Sequence, residues 1–138
     1  MVVSREQTRA PMPPRKLLIL LHRPGFEAIY QAASIAFTAG AMGDQVTVAP
    51  FFGGLLTLVG RIPYGEDPAA VRAQTLSLPD PRHMLGDGRK VAGVRLVVCD
   101  TAVRLAGLDV DAVRPYVDEI LGLATLWRQA EGAQVIYI

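Results

Sequence analysis

Length, composition and charge exclude several classes of protein. A chain of 138 residues is long enough to bury the core of one domain. It is 51% hydrophobic and 20% charged with a formal net charge of +1, which argues against a nucleic-acid-binding surface or an anionic membrane as partner. The single cysteine cannot form an internal disulfide, so nothing indicates secretion and we expect a cytoplasmic protein. The apolar run Leu17–Leu21 is too short for a signal peptide or a membrane span.

The first half of the chain predicts a β-α-β-α order. The proline-rich residues 1–14 are expected to form a flexible tail, followed by a single domain over residues 15–138. Unbroken apolar runs predict strands buried on both faces, as in a parallel sheet, and apolar residues at helical spacing predict helices. The predicted elements are strands at Lys16–Leu21 and Gln45–Pro50, a helix at Phe26–Met42 ended by Gly43, and a short helix at Leu55–Val59 closed by Gly60.

The segment 61–93 interrupts this order because it is rich in proline and glycine. A short helix is predicted at Pro68–Gln74, since proline suits a first helical turn. The remainder is predicted to be a long loop, and loops of this length are usually functional, oligomeric or disordered. Composition does not choose among these roles.

The second half continues the alternation of strands and helices. Val94–Cys99 is predicted to be the third strand, followed by a helix at Asp100–Ala106 for which Asp100 and Thr101 are both N-cap candidates. The remaining predicted elements are a short strand at Tyr116–Leu121, a helix at Leu123–Glu131 and a last strand at Gln134–Ile138. The order predicts an α/β, flavodoxin-like, doubly wound sheet of about five mostly parallel strands with helices on both faces.

Cys99 is the main candidate for chemistry. A thiol at the end of a strand and before a helix N-terminus lies in a positive field, which favours the nucleophilic thiolate. The alternative is structural, because free cysteine is among the most frequently buried residue types and packs as a small hydrophobe. Sequence alone leaves both interpretations open.

The neighbours of Cys99 depend on the strand order. If the order is 2-1-3-4-5, ligands collect between strands one and three, and His22 and Cys99 face the same crevice. Arg23 and the pair Gly53-Gly54 would lie nearby, where glycine N–H groups can approach an anion. The alternative for His22 is an ordinary histidine at a strand end.

Several other residues are predicted to have structural roles and not chemical ones. The two histidines lack zinc-ligand spacing with the cysteine, so no metal site and no cofactor are expected. His83 is predicted to be solvated in a loop, and Trp127 and Phe37 to be core residues. The residues around the second predicted helix are more apolar than one buried face requires, which predicts a contact with a partner, most simply a homo-oligomer. They are Phe51, Phe52, Leu55, Leu56 and Leu58.

Four stretches in succession resemble the DsrE/DsrF-like family, small α/β proteins of bacterial sulfur relay. The similarity runs from about Lys16 to Ile138. The matching stretches are Ala41-Met42-Gly43-Asp44 at the end of a helix, Val46 to Gly54, Val97-Val98-Cys99-Asp100-Thr101, and Leu121 to Leu126 before the last strand.

The resemblance implies that Cys99 receives a sulfane sulfur as a persulfide and passes it on, within a pocket shaped by its neighbours. It also implies assembly into trimers or hexamers and protein partners that donate and accept sulfur. With no second cysteine, the chain cannot resolve a persulfide or sulfenic acid by an internal disulfide. Two alternatives stay open: a non-catalytic small-ligand-binding or structural module, and a peroxiredoxin-like thiol protein.

Overall fold

The computed structural model describes residues 13–138, and the predicted tail lies almost entirely outside this range. Secondary structure accounts for most of the described chain. The strands are β1 Lys16–Leu21, β2 Gln45–Pro50, β3 Arg95–Cys99, β4 Glu119–Leu121 and β5 Gln134–Tyr137. The helices are α1 Phe26–Ala41, α2 Phe52–Leu58, α3 Pro68–Thr75, α4 Pro81–Val91, α5 Asp100–Leu105, α6 Val110–Val113 and α7 Leu123–Gln129, with a 3-10 turn at Arg114–Tyr116.

The five strands form one parallel sheet in the order β4-β3-β2-β1-β5. This confirms the predicted α/β, flavodoxin-like class with helices on both faces. The assumed order 2-1-3-4-5 is wrong, because β2 lies between β1 and β3. Periodicity predicts that a strand is buried but carries no information about which strand lies beside it.

The handedness of crossover connections explains where the helices lie. Connections between parallel strands are right-handed, so three successive steps in one direction, from β1 to β4, place every intervening helix on the same face of the sheet. The chain then reverses and returns across the sheet from β4 to β5, which places α7 on the opposite face. We call these the crowded face and the sparse face.

The crowded face holds the main core. Alternate residues of the strands point into it, including Ile19 and Val48, and they pack against buried residues of α1, α2, α4, α5 and α6. Small side chains in α1, such as Ala32 and Ala36, let this helix lie close to the sheet and to α4. The long α1 is therefore the central element of this layer.

The sparse face is covered by much less structure. Its buried cluster contains only four residues, Leu18, Ala49, Val97 and Leu126, and Leu126 alone comes from α7. Trp127, the next residue of the helix, is 61% exposed. The prediction that Trp127 is a core residue is wrong, because a helix of seven residues can bury only one narrow stripe against the sheet.

The segment 61–93 is more ordered than its composition predicts. Besides α3, it contains α4, an eleven-residue helix where a loop was expected. Asp80 is the N-cap of α4 and its carboxylate accepts a hydrogen bond from the Arg82 N–H, and Pro81 occupies the first turn. Gly86 and Gly88 hide this helix in the sequence, but Gly88 packs directly against Val94. His83 is exposed, on this helix and not in a loop.

Several predicted boundaries also change. The α2 helix begins at Phe52 and includes both glycines, whereas the prediction began at Leu55. Most of its apolar residues are buried and only Phe52 is exposed, so this helix is not the apolar patch that was expected. The strand predicted from Tyr116 is reduced to β4, since Pro115 favours the 3-10 turn before it. Among the described residues, no helix has the length and apolar character needed to cross a membrane.

Candidate functional site

Cys99 is the last residue of β3 and the N-cap of α5. The residue is buried, with 4% of its surface exposed, and it packs with the core of the crowded face. Its Sγ lies 3.9 Å from Oδ1 of Asp100, a distance at which the thiol donates a weak hydrogen bond to the carboxylate. The sulfur therefore lies just below the carboxyl edge of the sheet.

Asp100 is the polar neighbour of this thiol. The sequence predicted Asp100 and Thr101 as N-cap candidates, but Asp100 is the first residue of α5 and Cys99 is its N-cap. No side chain makes a capping hydrogen bond to this helix. The Asp100 carboxylate also accepts hydrogen bonds from the Thr101 hydroxyl at 3.5 Å and from the Arg104 guanidinium at 3.2 Å. Thr101 is exposed and Asp100 is half-buried, so both residues are more accessible to solvent than the buried sulfur.

The direction of the connections between strands reverses between β3 and β4. The connection after β3 leaves toward the crowded face and the one after β4 leaves toward the sparse face. Ligands in open α/β sheets bind where the connections of two neighbouring strands diverge in this way. Cys99 is paired with Leu121 at this point, and Gly122 and Leu123 continue from Leu121 toward the opposite face. Sequence reasoning missed these neighbours because it placed the reversal at β1.

His22 and Arg23 lie elsewhere on the same edge. Their backbone N–H groups donate to the Ile138 carbonyl at 2.7 and 3.3 Å, which fixes them beside β5. The His22 ring makes an edge-to-face contact with Tyr137, with ring centroids 4.9 Å apart. Strands lie about 4.8 Å apart, so the ends of β1 and β3 are separated by roughly 10 Å. The structure does not bring His22 next to Cys99.

Gly53 and Gly54 have a packing role at the start of α2. A Cβ on Gly54 would lie 2.2 Å from the Leu21 carbonyl oxygen, and one on Gly53 would lie 2.7 Å from Pro24. The Gly54 N–H donates to the His22 carbonyl at 3.0 Å, so it is not free to bind an anion. The two glycines thus let α2 approach the end of β1 closely.

The predicted site residues therefore form two groups. Cys99, Asp100 and Thr101 lie at the end of β3 and the start of α5, and His22, Arg23, Gly53 and Gly54 lie at the ends of β1, β2 and β5. Within residues 13–138, no group of three or more histidine, cysteine or acidic side chains is placed to hold a metal ion. The first group offers one thiol next to one carboxylate, which suits thiol chemistry or a purely structural role.

Comparisons with known proteins bear on the fold. No protein-family model matches this chain, and no curated protein sequence matches it. Among solved structures, the fold is similar to that of MTH1491 from Methanobacterium thermoautotrophicum, a protein of unknown function. The two chains share 18% identity with a TM-score of 0.57, over 90% of this chain and 99% of that one.

Proposed function

We propose that this protein carries sulfane sulfur on Cys99. The Cys99 thiolate attacks the outer sulfur of a donor persulfide, a new S–S bond forms at Cys99, and the donor leaves as a thiolate. An acceptor thiolate then attacks the outer sulfur of the Cys99 persulfide and releases Cys99 as a thiolate. Each transfer exchanges one S–S bond for another, so no external oxidant or reductant is needed.

One observation carries this proposal: the sole thiol of the chain lies at the reversal in strand order. Cys99 is paired with Leu121 where the connections diverge, and this is the place at which open α/β sheets bind ligands. The resemblance to DsrE/DsrF-like proteins adds a persulfide at this position. The position of Cys99 supports the proposal even though His22, the expected neighbour, lies at the end of a strand two positions away in the sheet.

The burial of Cys99 sets the route that the donor must take. Because Cys99 is only 4% exposed, a donor reaches the thiol only when neighbouring residues, such as the first turn of α5, move aside. In this turn, the Asp100 carboxylate both accepts a hydrogen bond from the thiol and forms an ion pair with Arg104. A shift of Asp100 away from the sulfur would break this hydrogen bond, and the thiol proton would then pass to water as the thiolate forms.

The proposal includes partners and a compartment. A lone cysteine must receive sulfur from one protein and give it to another, so donor and acceptor proteins are required. By the same resemblance we propose a homo-oligomer, a trimer or a hexamer, located in the cytoplasm. A peroxiredoxin-like activity would instead convert Cys99 to a sulfenic acid.

Intact-mass spectrometry tests the sulfur-carrier function. The native protein is incubated with a low-molecular-weight persulfide, freed of excess donor and weighed. We expect a gain of about 32 Da for each transferred sulfur, lost again on addition of an acceptor thiol, and no gain in Cys99→Ser. Thr101→Val is the matched control, because it changes an exposed neighbour and keeps the thiol.

The opposite outcome favours the second candidate, a small-ligand-binding or structural module. The observation that favours it is the burial of Cys99 in the apolar core with its proton directed to Asp100. In that case the native protein gains no sulfur, and iodoacetamide alkylates Cys99 only after denaturation. Sulfenic acid formed at low peroxide, without persulfide transfer, would support the peroxidase instead.

A further inference from the structure

The outer edge of β5 presents backbone groups that nothing in the described part of the chain pairs with. The Ile138 N–H donates to the Leu20 carbonyl at 2.8 Å, and the Ile138 carbonyl accepts from His22. Because successive residues of a strand alternate in direction, the N–H and C=O groups of Val135 and Tyr137 point away from β1. Within residues 13–138, the sheet ends at this edge.

This edge lacks the usual protection against pairing. Its residues Gln134–Tyr137 are uncharged, and they include no proline or glycine. The opposite edge, β4, has only three residues and carries Glu119 in an ion pair with Arg95. Proteins usually shorten or charge their edge strands to prevent association. Of the two edge strands, β5 is therefore the one better suited to pairing with another strand.

We propose that β5 pairs antiparallel with β5 of a second copy of this chain across a two-fold axis. The axis passes beside Ile136, so that Val135 lies opposite the partner's Tyr137 and Tyr137 opposite the partner's Val135. Both residues have outward-pointing backbone groups, as hydrogen-bonded antiparallel pairs require. The arrangement forms four backbone hydrogen bonds and joins two sheets into one of ten strands.

The side chains of the same two residues complement each other. Val135 and Tyr137 are 44% and 67% exposed, and both project on the sparse face, level with Leu18 and Leu20. Pairing places an aromatic ring opposite a β-branched side chain, a favourable cross-strand combination. A groove of about 580 Å³ between α7 and β5, lined by Trp127 and Val135, offers room for the partner's Tyr137 ring.

Charges at the two ends of the strand favour the antiparallel direction. Arg23 is exposed beside Ile138 at the carboxyl end of β5, and Glu131 is exposed just before its amino end. A two-fold axis brings Arg23 of each copy to the same end of the seam as the partner's Glu131, whose carbonyl also accepts from Lys16 at 3.1 Å. Together with the self-complementary backbone and side-chain pairs, this arrangement commits the edge to a second copy of the same chain.

This interface is independent of the Cys99 chemistry and specifies the symmetry of the assembly. A simple three-fold ring contains no two-fold axis, whereas a dimer contains one and a hexamer built from two trimers contains three. Pairing through β5 therefore predicts an even number of copies, so that of the two sizes proposed above it allows the hexamer and excludes the trimer. Failure of sulfur transfer would leave the interface intact, and a monomer could still carry sulfur.

Sedimentation equilibrium between 10 and 100 µM tests the interface. We expect the wild type to be a dimer or a hexamer, and Val135→Arg to halve its mass by placing a cation in the seam. Val91→Arg is the matched control, because Val91 is exposed at the far end of α4 and its replacement is expected to leave the mass unchanged. A wild-type monomer or trimer, or an unchanged mass in Val135→Arg, overturns the proposal and leaves the edge to residues 1–12 or to another protein.

A charge exchange tests the direction of pairing with milder changes. Arg23→Glu and Glu131→Arg each alter both symmetry-related pairs, so each is expected to raise the dissociation constant about 2- to 30-fold, the range for two exposed ion pairs. The double variant restores the pairs with their signs exchanged and is expected to return close to the wild-type value. The antiparallel arrangement is overturned if the dissociation constant of the double variant rises by the product of the two increases seen in the single variants.

Discussion

At the residue scale, Thr57 shows how one hydroxyl fixes the exit of β1. It is the one polar side chain with no exposed surface among residues 13–138. Its Oγ1 accepts from the Gly25 N–H at 3.1 Å and donates to the Gly53 carbonyl at 2.7 Å. The loop that precedes α1 is thereby attached to α2, whose two glycines allow the close approach.

Replacing Thr57 with valine is expected to destabilise the fold by about 1–3 kcal/mol, because the Gly25 N–H loses its acceptor in a buried place. Urea unfolding gives the change in the free energy of unfolding. Thr75→Val is the matched control, since its hydroxyl makes a similar bond to the Val71 carbonyl at an exposed helix end. Equal effects in the two variants would contradict the role given to Thr57.

At the scale of elements, Asp44 joins the starts of β1 and β2. Its carboxylate accepts from the Arg15 N–H at 3.0 Å and from the Arg15 guanidinium at 3.2 Å. The backbone N–H of Arg15 is the main cause that lowers the pKa of Asp44 from its usual 3.8; partial burial opposes this, and the guanidinium adds to it. The ionised form of Asp44 is therefore the one that stabilises the pairing of these strands.

The lowered pKa predicts a pH-dependent difference between the wild type and Asp44→Asn. The carboxylate stabilises the fold above the usual pKa of 3.8, and this contribution is lost as the pH falls through the lower pKa of the folded state. We expect Asp44→Asn to be less stable than the wild type by a constant amount from pH 5 to 7, with the gap narrowing below about pH 3.8. Urea midpoints across this range measure it, with the exposed Asp87→Asn as the control. A gap that widens on acidification would contradict the assignment.

At the scale of the whole molecule, the two faces of the sheet are unequally supported. Five helices contribute buried residues to the core of the crowded face, whereas Leu126 of α7 alone closes the cluster on the sparse face. The return connection from β4 to β5 provides this single helix. Among the residues of α7, Leu126 is therefore the one on which the packing of the sparse face chiefly depends.

Truncating Leu126 to alanine is expected to cost about 2–5 kcal/mol, because the side chain is 1% exposed and its loss leaves a cavity against Val97. Leu123→Ala changes the same residue type three positions earlier, at the exposed first residue of α7, and is expected to cost less than about 1 kcal/mol. Chemical denaturation of both variants compares them. Similar losses would mean that α7 does not pack as described.

Local patterns predicted most of the elements but not the α4 helix in the middle of the chain or the exposure of Trp127. The bounds of β1 and β2 were predicted correctly, because continuous apolar runs reflect burial on both faces. The α4 helix was missed because Gly86 and Gly88 are poor helix formers, and its packing against α1 and Val94 outweighs that preference. Trp127 was misplaced because an apolar side chain on a short helix does not reveal how much sheet lies beneath it.

The sequence by itself determined the α/β class, the parallel character of the sheet and the place of Cys99 at the end of a strand. These depend on residues near one another in the chain, whose spacing reports burial and helix starts directly. Only the tertiary structure decided that β2 separates β1 from β3, that Leu121 lies beside Cys99 in place of His22, and that β5 is an edge strand within residues 13–138. Strand order is set by which surfaces pack best after the crossovers form, and that competition between distant segments leaves no local pattern in the sequence.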